Sequence, residues 1–372
     1  MATLSAAAAR NASRLHSLAR RTIPISRRFL SQTTHAAAGS ILPTKIKPKV
    51  SASAPKPPSV ILTLTGPDGP GIVHAVSGFL SRRNMNIMDS AQFGDPTTGT
   101  FFMRVHASEP EPDADAQPSE PEPTTTTEEE KASPAYAEQR AAFLRRIKDE
   151  FDSEFATAAE VSVKIYGAES KPRTLIMVSK IGHCLNDLLY RQSSGSLPIT
   201  VPLIISNHKD FAPLAAAHGI PFFHLPIDVA SGKTKEWAES ETMRLAKEHD
   251  IELVVLARYM QILSPKLCQE FSGRIINIHH SFLPSFKGAK PYHQAFERGV
   301  KLIGATAHFV TADLDEGPII EQDIDRVNHA MSPAELVRAG ADVEARVLAR
   351  AVRWTAERRV LPNGAKTVVF NY

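Results

Sequence analysis

Residues 274–323 read RIINIHHSFLPSFKGAKPYHQAFERGVKLIGATAHFVTADLDEGPIIEQD. The first apolar run of this stretch, residues 274–279, predicts a buried strand that ends in polar residues. Side chains alternate between the two faces of a strand, so Asn277 and His279 are expected on one side and His280 on the other. The strand therefore predicts an amide donor and an imidazole on a shared face.

A second apolar run, Leu302–Val310, predicts another strand and contains His308. Residues 311–318 follow it as a polar loop, and the Gly317-Pro318 pair ends that loop sharply. We expect the loop to bring the carboxylate of Asp315 back over the first strand.

An amide, an imidazole and a carboxylate around one cleft suit attack on a carbonyl carbon. Asn277 and a protonated His279 would donate hydrogen bonds to the developing oxyanion, each worth roughly 100- to 1,000-fold in rate. Asp315 would act as the base that takes a proton from water, and its negative charge favours the protonated imidazole. This chemistry needs no Ser or Cys nucleophile.

Three motifs give this stretch a family resemblance: NIHHSFLPSFKG, AHFV and DLDEGPII. Together they resemble the folate-dependent formyltransferase and formyl-hydrolase superfamily, in which the formyl group of 10-formyltetrahydrofolate is attacked. The resemblance places the catalytic residues at Asn277, His279 and Asp315. His308 and Asp313 take the positions of supporting residues that orient the loop.

The same resemblance implies a folate-binding surface, largely of main-chain groups, in segment 259–263 and in loop 312–315. Within these segments the predicted substrate-binding residues are Met260, Gln261, Leu263, Ala312 and Leu314.

The remaining histidines give little support for a metal site. Neighbouring strand residues face opposite ways and no further ligand stands at a characteristic spacing, so His280 is expected to be structural. His183, His224 and His293 are interpreted as packing or surface residues, and His293 falls on a helix near the cleft. We expect no metal and no cofactor.

Residues 1–58 differ in composition from the rest of the chain. They hold ten Lys or Arg and no Asp or Glu, so residues 59–372 carry a formal charge of −7 although the whole chain stands at +3. A leader rich in Arg, Ser and Ala, with Leu4, Leu15 and Leu18 at helical spacing, predicts a mitochondrial transit peptide and linker, and hence a matrix location.

Other interpretations of this leader are weaker. A basic tail that binds nucleic acid would carry clustered charges and aromatic residues, which the leader lacks. The charges are not followed by a continuous apolar segment, which argues against a secretory signal. The chain has no run of about 18 or more apolar residues, so no membrane span is expected. We expect no nucleic-acid or membrane partner. Cys184 and Cys268 stand alone, which indicates a reducing compartment.

Residues 59–168 predict a small α+β ferredoxin-like domain with βαββαβ order. The turn GPDGPGIV makes it resemble the ACT domains, modules that bind amino acids between paired copies, so an amino-acid effector and a homo-oligomer are expected. Residues 108–130 hold nine acidic residues and five Pro without Lys or Arg. We interpret 108–136 as a disordered acidic insertion, since it cannot bury enough apolar surface to order itself.

Residues 172–372 predict an α/β domain with a doubly wound, mostly parallel sheet, as in the formyltransferase fold. The strands and helices alternate, and the site belongs at the carboxyl ends of the strands. The predicted elements are strands at 174–178, 199–205, 221–225, 252–256 and 274–278, and helices at 234–249 and 333–357.

The acceptor of the formyl group can be inferred from what this chain lacks. In glycinamide ribonucleotide transferases, the resemblance implies a glycine-rich turn that binds the phosphate of the acceptor, and this chain has a single glycine there, Gly182. The resemblance also implies an Arg in those transferases at the position where this chain has Gln261. Only about 47 residues follow Asp325, too few for the second domain of the tRNA formyltransferases.

Water is therefore the expected acceptor, and residues 59–365 resemble the formyltetrahydrofolate deformylases. The implied reaction gives formate and tetrahydrofolate, in one-carbon and purine-related metabolism. Two alternatives remain open. The chain could be a formyltransferase that uses an amine acceptor, which would form product only when that acceptor is added. It could also be a non-catalytic amino-acid sensor, which would bind ligand without turnover.

Overall fold

The structure, a computed structural model, describes residues 57–110, 134–155, 161–283 and 291–371. Nearly all of the predicted leader and most of the predicted acidic insertion lie outside these residues. Among the helices of the described ranges, none combines the length and the apolar character that a membrane crossing requires.

The small domain is a four-stranded antiparallel sheet with two helices. Its strands lie in the order β2-β3-β1-β4, which confirms the ferredoxin-like prediction. The elements are β1 (Ser59–Pro67), α1 (Ile72–Ser81), β2 (Asn86–Asp95), β3 (Thr100–Ser108), α2 (Pro134–Phe155) and β4 (Ser162–Gly167). The predicted insertion, 108–136, was too wide at both ends, because Ser108 pairs with β1 and helix α2 already begins at Pro134.

The large domain is built on a seven-stranded sheet whose order is β11-β10-β9-β8-β5-β6-β7. Strands β5 to β9 run parallel, whereas β10 runs antiparallel to both β9 and β11. The mostly parallel sheet that the sequence predicted is therefore confirmed. The strands are β5 (Arg173–Val178), β6 (Thr200–Ser206), β7 (Phe222–His224), β8 (Leu253–Leu256), β9 (Ile275–His279), β10 (Leu302–Phe309) and β11 (Ile319–Arg326).

Helices cover both faces of this sheet, and a short hairpin ends the chain. The helices are α3 (His183–Ser193), α4 (Ala212–Ala217), α5 (Lys235–Glu248), α6 (Pro265–Glu270), α7 (Pro291–Glu297) and α8 (Pro333–Ala356), and the hairpin is β12 (Val360–Asn363) with β13 (Lys366–Val369).

The central strands are apolar on both sides because both sides are buried. Along β5, Ile176 and Val178 join the core beneath α3 and α8, whereas Leu175 and Met177 join the core beneath α5 and α6. Such continuous apolar runs are typical of parallel strands between two helical layers. Their carboxyl ends are left at one edge, where polar residues can face a cleft.

The pairing of β9 with β10 fixes the part of the sheet that carries the polar residues. His308 lies opposite Asn277, and Thr306 lies opposite His279. Beyond β10 the chain turns back, and the Phe309 amide donates a hydrogen bond to the Pro318 carbonyl at 2.9 Å. A Cβ atom on Gly317 would stand 1.7 Å from the carbonyl oxygen of Phe309, so this turn requires glycine for its close approach.

The small domain packs against the C-terminal hairpin of the large one. Phe102 of β3 is fully buried in a cluster with Leu361 and Phe370. Beside this cluster, the buried Arg104 donates from Nε to the carbonyl oxygen of Glu357, the residue that ends α8, at 3.2 Å. The two domains thus share an apolar contact and a charged one.

Replacing Gly317 tests the turn after β10. Gly317→Ala would force the main chain of residues 309 and 317 apart, and we expect the free energy of unfolding to fall by about 1–3 kcal/mol. Gly167→Ala is the matched control, because its new methyl group meets nothing within 4 Å. Urea unfolding followed by circular dichroism measures both variants, and equal stabilities would contradict the proposed crowding.

Candidate active site

A cavity of about 600 Å³ lies at the carboxyl end of β9. Its wall includes segment 258–263 after β8, loop 310–315 after β10 and one face of α8, together with residues of β9, α3 and α7. All ten predicted site residues line it or stand on its loop. The ten are Asn277, His279, Asp315, His308, Asp313, Met260, Gln261, Leu263, Ala312 and Leu314.

Asn277 and His308 meet because their strands are paired. The Asn277 Nδ2 atom lies 3.2 Å from His308 Nε2, and the His308 Nδ1 atom lies 2.9 Å from the carbonyl oxygen of Phe309. Nδ1 must carry the proton to serve that carbonyl, so Nε2 accepts from the amide. Burial lowers the pKa of His308, which keeps the ring neutral as this arrangement requires. His308 therefore orients the amide of Asn277 and leaves its second N–H free.

Asp315 returns over β9 as predicted and reaches His279. Its Oδ2 atom lies 3.2 Å from His279 Nδ1. The hydrogen bond from His279, followed by the charge of His279, lowers the pKa of Asp315 against the opposing effect of burial. Asp315 also holds a left-handed backbone with φ 57°, a conformation that costs energy for a residue other than glycine. The loop thus holds an ionised carboxylate against the imidazole.

The ring of His279 has one nitrogen left for a ligand. Its Nδ1 faces Asp315, while Nε2 is buried and has no hydrogen-bond partner among the described residues. Buried ring nitrogens are nearly always paired, so a nitrogen without a partner beside a cavity marks a place for a reacting group.

Asp313 contributes to the loop through its main chain. Its carbonyl oxygen accepts from the Thr311 hydroxyl at 3.0 Å and from the Glu316 amide at 3.4 Å. The side chain is exposed. The role predicted for Asp313, orientation of the loop, is therefore assigned to its backbone carbonyl.

Segment 258–264 is anchored beneath the cavity by hydrogen bonds that its amides donate to Ser179, just after β5, and to Glu239 of α5. Ser179 Oγ accepts from the Met260 amide at 3.0 Å, and Glu239 accepts from the Ser264 amide at 2.8 Å. These anchors leave the side chains of Met260 and Leu314 exposed on the two sides of the opening. The opening is therefore apolar on both sides and suits a flat, largely apolar ligand.

One histidine was placed wrongly by the sequence. His280 lines the same cavity as His279, with the two rings stacked 5.3 Å apart, because β9 ends at His279 and the alternation of a strand does not extend beyond it. His183 also lines the cavity, and His293 lies beside it on helix α7, as the sequence predicted.

A buried acid on α8 was not identified from the sequence. Glu344 is 2 % exposed, and its two carboxylate oxygens contact His183 Nε2 at 2.8 Å, Tyr292 Oη at 2.7 Å and Arg258 Nε at 3.4 Å. Burial would raise its pKa, but the hydrogen bond from His183 and the charge of Arg258 outweigh it, so the pKa lies below 4.5. The signal that could have found it is its place on the apolar stripe of α8, four residues after Gly340 and four before Leu348, both of which are buried.

One group of metal-ligand types occurs in the described ranges, formed by His183, Cys184 and Glu344, whose ligand atoms lie within 4.8 Å of one another. The donor set fits a metal poorly. Both oxygens of Glu344 already accept hydrogen bonds, and burial raises the pKa of the Cys184 thiol well above 9.0, which disfavours the thiolate that binds metals.

Two family models match the chain. The model described as formyl transferase covers residues 172–352, and the model described as ACT domain covers residues 59–117. A formyltetrahydrofolate deformylase of Corynebacterium sp. is 46% identical over 309 residues, which cover 83% of this chain and 97% of the relative. The deformylase of Escherichia coli K12 is 34% identical with the same coverage.

Solved structures of a deformylase and of a transformylase both superpose on this chain. A formyltetrahydrofolate deformylase from Pseudomonas syringae superposes with a TM-score of 0.71 at 43% identity, covering 84% of this chain and 94% of that one. A glycinamide ribonucleotide transformylase from Symbiobacterium toebii superposes with a TM-score of 0.51 at 31% identity, covering 54% of this chain and 94% of that one.

The fold and the cavity therefore define a formyl transferase domain preceded by an ACT domain. The relatives from Corynebacterium sp. and Escherichia coli K12, which match this chain over 97% of their own length, are both formyltetrahydrofolate deformylases. The chain belongs to the formyltetrahydrofolate deformylase family.

His280 makes the stability of the protein sensitive to pH. Burial, followed by the charge of Arg258, lowers the pKa of His280 from 6.5 to about 4. Between these values the unfolded chain binds a proton that the folded chain does not, so stability falls as the pH is lowered. From pH 7 to pH 5 we expect His280 to account for a loss of about 2 kcal/mol, at 1.36 kcal/mol per pKa unit.

Urea unfolding at pH 7 and pH 5 checks this expectation. His280→Asn should lose less stability between the two pH values than the unmodified protein, and His74→Asn, at an exposed position on α1, should lose as much. An equal loss in His280→Asn and the unmodified protein would rule out His280 as the titrating group.

Proposed function

We propose that the cavity hydrolyses 10-formyltetrahydrofolate to formate and tetrahydrofolate through Asn277, His279 and Asp315, the catalytic trio. The observation that carries the proposal is the pair of unused donors beside an ionised carboxylate. Among the described residues, neither the second N–H of Asn277 nor the Nε2 of His279 has a hydrogen-bond partner, and Asp315 lies 3.2 Å from the same imidazole.

The first chemical step is attack by water on the formyl carbon. Asp315 takes a proton from the water as the new C–O bond forms, and its lowered pKa keeps it ready as a base at neutral pH. The carbonyl oxygen becomes an oxyanion that accepts hydrogen bonds from Asn277 Nδ2 and His279 Nε2. These donors already point at the cavity, so no reorganisation is needed when the charge appears.

The second step breaks the bond between the formyl carbon and N10. Asp315 passes the proton that it took from water to N10 as the C–N bond breaks, and tetrahydrofolate leaves as the neutral amine. The carbon departs as formic acid, which loses its proton to Asp315 or to solvent and becomes formate. His308 takes part only by holding the amide of Asn277, since its own Nε2 accepts from that amide.

The folate is proposed to lie along segment 258–263 and loop 310–315. Met260, Leu263 and Leu314 offer apolar contact for its rings, and the main chain of the two segments offers hydrogen bonds. Gln261 and Ala312 complete this surface. Because the segment after β8 is anchored by hydrogen bonds to Ser179 and Glu239, that part of the surface exists before the ligand arrives.

A formyl transfer to an amine is the second candidate, favoured by the 31% identity to a glycinamide ribonucleotide transformylase. The two reactions differ in one requirement. Hydrolysis releases formate from 10-formyltetrahydrofolate alone, whereas transfer needs the amine. Formate released without any acceptor, at a rate that glycinamide ribonucleotide does not raise, would exclude the transferase. An amino-acid sensor without catalysis would release none.

Substitution of the catalytic trio tests the mechanism. Asn277→Ala removes an oxyanion donor and should lower kcat roughly 100- to 1,000-fold. Asp315→Asn removes the base and should lower kcat roughly 100- to 10,000-fold. Formate release measured under saturating substrate gives both values.

Asp342→Asn is the matched control, because Asp342 lies exposed on α8 away from the cavity. It should keep the activity of the unmodified protein. Near-normal formate release by Asn277→Ala or Asp315→Asn would remove that residue from the mechanism. The proposed reaction uses no metal and no cofactor, so prolonged treatment with a chelator should leave the rate unchanged, and a loss restored by added metal would contradict this.

The ACT domain is proposed to bind an amino acid and to pair with a second copy. Strand β2 is an edge of its sheet and exposes Ile87, Met88 and Phe93, which supports pairing along this edge. Light scattering on the purified protein tests the pairing, and a monomer at all concentrations would refute it. Glycine and methionine are the first effectors to test for a change in formate release.

Residues 1–58 are proposed to direct the chain to the mitochondrial matrix, where the formate and tetrahydrofolate would enter one-carbon and purine-related metabolism. The absence of acidic residues and the ten basic ones support this. A fluorescent protein carrying residues 1–58 should accumulate in mitochondria, and uniform fluorescence through the cell would refute the proposal.

A further inference from the structure

We infer that Arg258 forms an anion subsite, defined by its guanidinium group beside the catalytic trio, and that this subsite receives the product formate. The inference rests on the proposed hydrolysis for the identity of the anion. Its physical basis is separate and lies in the surroundings of Arg258.

Arg258 is the one Lys or Arg among the described residues that line the cavity. Its side chain is only 9 % exposed. A buried guanidinium normally donates several hydrogen bonds, since its five N–H groups lose water on burial. Here the described residues accept none of them, and Nε is buried without a hydrogen-bond partner. The group therefore holds donors that no described residue uses and that a ligand could take.

The nearby carboxylate does not satisfy Arg258. Glu344 lies 3.4 Å from Nε, a contact of opposite charges, but its oxygens accept their hydrogen bonds from His183 and Tyr292. The Tyr292 ring reaches Glu344 because it lies over Gly340, where a Cβ atom would stand 2.1 Å from the ring. Glu344 thus balances the buried charge, while the planar fork of Arg258 stays available.

The backbone of Arg258 is also held in an uncommon conformation. Its φ is 64°, in the left-handed region that a residue with a long side chain rarely adopts. The carbonyl of Arg258 accepts from the Ser179 amide at 3.2 Å, which helps to fix the residue at the end of β8. Strain of this kind persists where the surrounding structure imposes it, and it recurs at ligand-binding positions.

The subsite lies next to the place where formate is made. His280 connects the two, because its ring stacks on His279 at 5.3 Å and its charge state responds to both Arg258 and Asp315. Hydrolysis turns a neutral formyl group into a carboxylate inside a mostly apolar cavity. A guanidinium fork matches the two oxygens of a carboxylate, so Arg258 offers the new anion a partner as it leaves the trio.

The size and charge of the preferred ligand follow from the same contacts. A planar monoanion such as formate or nitrate fits one fork, whereas a phosphate dianion would be repelled by Glu344 beside it. Formate has three heavy atoms, which limits its affinity to a Kd of about 1 mM or weaker.

Direct binding of formate tests the subsite without any turnover. Line broadening of carbon-13 formate on the full chain, titrated to about 100 mM, should give a Kd for the unmodified protein. Nitrate should displace the formate and inorganic phosphate should not. In the double variant Arg258→Met with Glu344→Gln, which removes both charges together, we expect the Kd to rise at least tenfold. Arg350→Met, a half-exposed arginine of α8, is the control and should keep the Kd.

Arg258→Lys provides a second test if the double variant does not fold. It keeps the charge but loses the planar fork, so the Kd for formate should rise at least threefold. An unchanged Kd in the folded variants, or weaker binding only in Asn277→Ala, would place formate at the catalytic trio and overturn the inference. Absence of formate binding to the unmodified protein would overturn it as well.

The outcome can be separated from that of the proposed function. If formate binds through Arg258 but no formate is released from 10-formyltetrahydrofolate, the proposed hydrolysis fails and the anion subsite stands. If formate is released and its binding does not depend on Arg258, only the anion subsite fails.

Discussion

The antiparallel pairing of β10 with β9 is the constraint on which the catalytic centre depends. The pairing sets His308 opposite Asn277 and orients the amide through a single hydrogen bond. The same strand then delivers the loop whose carboxylate, Asp315, faces His279. The backbone ladder therefore positions Asn277, His279 and His308 directly, and the loop that follows β10 brings Asp315 to them.

The wall of the cavity also contains buried charged groups, which are unstable in an apolar core unless other polar groups lie beside them. Glu344 is almost completely buried, and it is stabilised by one imidazole, one phenol and one guanidinium. Removing any one partner would leave charge or polar atoms unpaired in a region of low polarity, which is more costly than the loss of a surface ion pair. This network and the catalytic trio share the wall of one cavity, with His280 between them.

Helix α8 links this cavity to the rest of the molecule. It carries Glu344 in its middle, and the carbonyl of Glu357 at its end accepts from Arg104 of the small domain. The hairpin that follows α8 supplies Leu361 and Phe370 to the apolar contact with that domain. Residues 333–370 therefore serve both the active site and the packing of the two domains.

Several features could be predicted from the sequence because they depend on local pattern. The apolar runs of the strands and the βαββαβ order of the small domain follow from periodicity and turn residues, which act over a few neighbours. The shared face of Asn277 and His279 follows from the alternation within one strand. The position of His280 could not be predicted, since alternation gives no information once the strand has ended at His279.

By itself, the sequence determined the two domain types, the polar residues at the end of β9 and the motifs that relate the chain to its family. The tertiary structure alone decided that Arg258 and Glu344 meet, because 86 residues separate them and no local pattern connects the end of β8 to the middle of α8. A charged side chain is stable in a core only when a group of opposite charge or a hydrogen-bonding group lies beside it. The packing of the helices and strands decides which groups lie there.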